Sequence, residues 1–140
     1  MAVRVHWDNN YDTGVEVVDA RHRQIVAHCN ALADCIDHPE GGAAGDRQFD
    51  ETLAVLMALA RESFSIKEVL LAEGGSHEVD DLRFEGEEFD FLASEIMTTE
   101  NFERIELQSF LALWWRGHLV GAANKFRSLG RQRSVVSDRQ

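Results

Sequence analysis

Three residues stand where a helical core would not ordinarily carry them. His22, Lys67 and His118 each fall on an apolar stripe, and Ser63 lies one turn before Lys67. A buried polar group needs a partner, and a buried charge needs a counter-charge. A single stripe histidine is ordinarily a hydrogen-bonded core residue, and a stripe lysine ordinarily snorkels to the edge. Three such residues in one fold point instead to a shared internal polar site. Two imidazoles can also hold a metal ion, with Glu68 or a water completing the set. No Ser-His-Asp or Cys-His arrangement, phosphate-binding glycine loop or H-E-x-x-H motif accompanies them, so no enzymatic activity is expected.

The elements that must position these residues are helices. Four segments show a period near 3.6. The first runs Val15, Val18, His22, Ile25, Cys29, Leu32, Ile36, and the second Phe49, Leu53, Leu56, Ala60, Ser63, Lys67, Leu70. The third runs Leu82, Gly86, Phe89, Leu92, Ile96, and the fourth Ile105, Leu107, Leu111, Trp114, Trp115, His118, Ala122, Phe126. Breaks fall at His38–Gly45, Glu73–His77 and Thr98–Asn101. Asp46, Ser76, and Thr98 or Thr99 are candidate caps for the second, third and fourth helices. Short loops between long helices predict an all-α, up-down-up-down four-helix bundle. Residues 1–14 read as an extended N-terminal arm, 15–127 as the bundle and 128–140 as a basic, frayed tail.

A resemblance now attaches to these positions. Trp7-Asp8, Tyr11, Gly14-Val15, Val18-Asp19-Ala20-Arg21-His22, Ile25, Asn30 and Leu32 resemble the opening of the bacterial hemerythrin family. Leu113-Trp-Trp-Arg-Gly-His118-Leu is similar to its last-helix element, and Ser63-Phe-Ser-Ile-Lys67-Glu68-Val-Leu-Leu71 to its second-helix element. The resemblance implies the same bundle and, in its relatives, a non-haem di-iron site that binds dioxygen through five histidines and two bridging carboxylates. Carried over by position, His22 and His118 match ligand histidines. Ser63 takes a histidine place, Lys67 the bridging glutamate's and Ala123 the bridging aspartate's, while Glu68 matches a neighbouring non-ligand acid. On the third helix the two histidine places fall on Leu82 and Gly86, or, shifted by two residues, on Phe84 and Glu88. An ammonium is hostile to a pair of iron ions.

The expectation is therefore a lost oxygen-binding centre in a non-enzymatic binding, regulatory or structural protein. No cofactor is expected. A metal-free cluster of His22, Ser63, Lys67, His118 and Glu88 or Glu68 would replace the iron, beside a cavity at Leu82, Gly86 and Ala123 able to take a small ligand. The alternative is residual metal or oxygen binding through His22, His118 and Glu68, with a single iron or zinc ion; nothing resembles a haem-attachment motif. Trp7, Trp114 and Trp115 are candidate interface residues for a protein partner or for self-association.

Composition sets the boundaries. The chain has 140 residues, 44% hydrophobic, with a formal charge of −11. That is enough apolar material for one unaided core. The acidity argues against nucleic-acid and anionic-membrane partners. No signal-like apolar region and no spanning segment are read, and two thiols, Cys29 and Cys35, six apart, do not form a CxxC pair. A cytoplasmic setting is expected. The charge is uneven: residues 125–140 hold five basic side chains and one acid, net +4.

Overall fold

The computed structural model describes residues 2–39 and 41–138, with side chains described through residue 130. Among the described residues there are four α-helices: α1 Glu16–Asp37, α2 Gly42–Glu73, α3 Val79–Thr98 and α4 Arg104–Asp138. α1 packs against α2 and α4, and α3 packs against the same two. Sequence neighbours are thus neighbours in space, which gives the up-down-up-down ring of an all-α four-helix bundle. The stripes meet along its axis. Ile25, Leu32, Leu56, Leu71, Leu82, Leu107, Leu111 and Leu119 are fully buried there. Among the described residues no helix is long and apolar enough to cross a membrane.

The arm is extended apart from a 3-10 turn at Asn9–Tyr11. Its backbone polar groups are satisfied by side chains of the bundle. Asn30 accepts from the Val5 amide at 2.9 Å and donates to the Val5 carbonyl at 2.9 Å. Gln108, fully buried on α4, does the same for Val3 at 2.9 and 2.6 Å. Each carboxamide supplies one donor and one acceptor, so it pairs with an extended residue as a neighbouring strand would. Asp19 then anchors the arm's end by accepting from the Thr13 amide and hydroxyl.

Helix ends depart from expectation. α2 begins four residues before Asp46, because Ala43 and Ala44, strong helix formers, carry it through the glycines. Asp46 instead pairs with Arg104 at 2.6 Å. Thr98 and Thr99 donate back to the Ser94 and Glu95 carbonyls, so they close α3 rather than cap α4. Ser76 accepts from the Glu78 amide at 3.1 Å, in the turn before α3. α4 does not end at residue 127. It runs on to Asp138, and Leu129 is buried against Gly74, where a Cβ would approach the leucine to 2.8 Å. The expected basic tail is helical to that point; its side chains from Arg131 onward lie outside the described residues, as do positions 139 and 140.

Candidate functional site

The stripes of α1, α2 and α4 deliver His22, Lys67 and His118 to one point. All three are buried, at 0%, 0% and 6% exposure. The Lys67 Nζ lies 2.9 Å from His22 Nε2 and 2.6 Å from His118 Nε2. It also sits 4.6 Å from the Phe64 ring centre and 5.2 Å from that of Trp115. The far side of His118 is held by Glu85, whose Oε2 is 2.7 Å from Nδ1, and Lys125 donates to Glu85 Oε1 at 3.0 Å. A carboxylate only accepts, so His118 carries its proton on Nδ1 and its Nε2 accepts from Lys67. The result is a relay of bonds, Lys67 to His118 to Glu85, closed by Lys125.

Burial sets the charge states. It pushes the Lys67 amine well below the ordinary lysine range, with Glu85 pulling partly back. Burial first, and then the charges of Lys67 and His118, push His22 far below the usual histidine value. His118 is lowered to about 3 by burial and by Lys67, against the pull of Glu85. For Glu85 itself burial opposes ionisation, but the His118 and Lys125 contacts prevail and hold the carboxyl at about 2. The imidazoles are therefore neutral and the carboxylate ionised at neutral pH.

Three atoms near this point have no hydrogen-bond partner among the described residues: His22 Nδ1, Ser63 Oγ and Trp115 Nε1. Ser63 is 1% exposed and so lies in the interior, but the Lys67 bonds bypass it.

The acid of the cluster is Glu85, not Glu68 or Glu88. Glu68 follows Lys67 directly and a helix turns about 100° per residue, so its carboxylate points to α3, where Arg83 binds it at 2.7 Å. Glu88 is exposed, about one turn of α3 beyond Glu85. The signal for Glu85 was available: Leu82, Glu85 and Phe89 stand at i, i+3 and i+7, on the flank of the stripe.

The remaining positions resolve similarly. On α3, Leu82 is fully buried and Gly86 faces α2, whereas Phe84, at 66%, and Glu88 are exposed. Gly86 leaves no free space between the histidines, because the Phe64 ring fills it at 3.1 Å from where a Cβ would stand. Ala123 is buried in the same interior as filler. Trp115 is wholly buried and is a core residue, not an interface residue. Trp114 is half-buried, stacked on His118 at 5.1 Å and packed on Phe89 at 4.7 Å. Trp7 is covered within the arm: its Nε1 donates to Asp12, Tyr11 meets it edge-on and Arg23 lies over its face. Cys29 is buried and its thiol pushed up to about 12 by that burial.

A di-iron centre does not fit these residues. Both Nε2 atoms that would face metal are directed at Lys67, and Glu85 lies behind His118 rather than beside Nε2. Among the described residues no group of three or more His, Cys, Asp and Glu side chains could hold a metal ion. Compared with family models, curated proteins and solved structures, the chain matches none.

Proposed function

We propose that the chain is a hemerythrin-like bundle in which a lysine-centred, metal-free cluster stands where relatives place iron, and that it works as a non-enzymatic binding protein. The observation that carries this reading is the Lys67 Nζ, within 2.9 and 2.6 Å of the two retained imidazoles. A tethered nitrogen at that point takes the imidazole lone pairs that a metal would need. The burial of all three groups supports a structural role for the cluster rather than turnover of a substrate. The sequence resemblance supports the family reading, and the lysine supports the loss of the iron site.

The test is metal analysis and an absorption spectrum of protein purified without an affinity tag. Far less than one iron or zinc per chain is expected, with no ferric charge-transfer band and no response to oxygen. Stoichiometric metal that survives EDTA would overturn the reading in favour of a residual site through His22 and His118.

A further inference from the structure

Gly117 and Gly121 lie in the interior of α4, where glycine is the poorest helix residue short of proline. Nothing within the described chain calls for it. A Cβ at either position would meet no atom within 4 Å, in contrast to Gly74 and Gly86, which Leu129 and Phe64 press against. Of the three open glycines of α4, Gly117 and Gly121, but not Gly130, line a groove of about 420 Å³ between α3 and α4, with Leu113 and Trp114 on one side and Glu85 and Glu88 on the other. Large apolar side chains are exposed on the same two helices. Leu113 and Val120 on α4 are 46% and 40% exposed, and Phe84 and Phe91, one turn before and after Glu88 on α3, are 66% and 63% exposed. The face combines an apolar surface, an acidic wall and two positions where a foreign backbone can come close.

Charge selects the occupant. α3 carries seven acids and one arginine, net −6, in a chain of net −11. A nucleic acid or an anionic lipid surface is repelled by that charge, and a basic partner is attracted. Leu113 and Gly121 are eight positions apart, about 12 Å of helix, which is the contact offered by roughly two turns of a partner helix lying in a groove. We propose that the α3–α4 face docks a basic amphipathic helix of another protein, its apolar side on Leu113, Val120, Phe84 and Phe91, its backbone over Gly117 and Gly121, and its cations against Glu88 and neighbouring acids of α3. This rests on the binding-protein reading above and gives it a partner class and a surface.

The test titrates the full chain with a synthetic Lys/Leu peptide whose leucines follow i, i+3, i+4, i+7, measuring the heat of binding. A scrambled peptide of the same composition serves as control. The patterned peptide is expected to bind, with affinity falling about tenfold or more, a loss of about 1.4 kcal/mol, in Gly121→Leu and in Glu88→Lys. Glu51→Lys, exposed on α2 away from the groove, is expected to bind as the wild type does. Glu88 is a surface side chain, so Glu88→Lys keeps the test open if Gly121→Leu does not fold. No binding, equal binding by the scrambled peptide, or unchanged binding in both groove variants overturns the proposal. So does a dimer in sedimentation that Gly121→Leu abolishes, since the occupant would then be a second copy. Metal assayed on the same sample separates the two readings: bound iron with the groove response intact sinks the metal-free cluster and leaves the docking face standing.

Discussion

Lys67 joins two histidines that would otherwise each bury an unpaired nitrogen. Lys67→Ala removes both bonds and leaves a cavity, and is expected to cost about 2–4 kcal/mol, read from urea unfolding; unchanged or higher stability would show that the cluster holds nothing together. Its acid dependence follows from the same contacts. His118 has a folded pKa of about 3 against an ordinary 6.5, so the unfolded chain takes up a proton that the fold refuses. Its contribution is complete above pH 6.5 and is lost as pH falls toward 3. Glu85, at about 2 against 4.5, adds a loss in the same direction below 4.5. His22, lowered further, reinforces the upper part, and Lys67, whose amine is also lowered, acts in the same direction from higher pH. Urea midpoints are therefore expected to decline already between pH 6.5 and 5, above the carboxylate range, and His118→Gln is expected to flatten that section; an equally steep decline in the variant would place its origin elsewhere. His22, Lys67 and His118 were legible because a period near 3.6 fixes which residues share a face. Glu68 and Glu88 were misread because proximity in sequence does not set direction: one residue of helix turns a side chain by about 100°.

Among the elements, the helices were legible and their ends were not. Most stripe positions are buried in the fold, although Leu71 and Ala93 take the core beside the half-buried Leu70 and Leu92, whereas Asp46, Thr98 and Thr99 found other partners than the helix N-termini they were expected to cap. A cap's choice depends on what the neighbouring helix brings near, such as Arg104 for Asp46, and no local pattern encodes that. The arm is the same case at larger scale. Its apolar Val5 and Tyr11 are visible in sequence, but its docking depends on Asn30 and Gln108, whose carboxamides look like ordinary helix polar residues. Asn30→Ala removes the paired bonds to Val5 and leaves that residue's amide and carbonyl without them. The expected cost is about 1–2 kcal/mol, with loss of hydrogen-exchange protection at the Val5 amide while the bundle amides keep theirs. Full protection at Val5 in the variant would mean that the Gln108 pair alone holds the arm.

For the whole molecule, the net charge of −11 and the fold class were both readable before any coordinates, but where the charge acts was not. The interior holds a lysine, while the acids crowd the surface, most densely on α3 with its net −6. The stripe Leu82, Gly86, Phe89 already put Leu82 inside and Phe84 outside, but the groove was not legible, because which surface residues of α3 and α4 come side by side depends on how the two helices pack. The opposing surface pairs among the described residues are at least partly exposed: Arg4 with Asp34 and Asp37, Arg21–Glu62, Arg23–Asp12, Arg83 with Glu68 and Asp80, and Arg104–Asp46. Exposed pairs contribute about 0–1 kcal/mol each, so repulsion among the unbalanced acids is expected to win. Salt screens that repulsion, the Debye length shrinking from about 10 Å at 0.1 M to about 3 Å at 1 M. Raising NaCl across that range is expected to lift the thermal midpoint by about 2–4 °C, read by circular dichroism. The loss caused by Lys67→Ala is expected to stay constant over the same range, since a sealed cluster is not screened. A midpoint that falls with salt would show the surface pairs outweighing the excess of acids, and a salt-dependent Lys67→Ala loss would show the lysine reaching solvent.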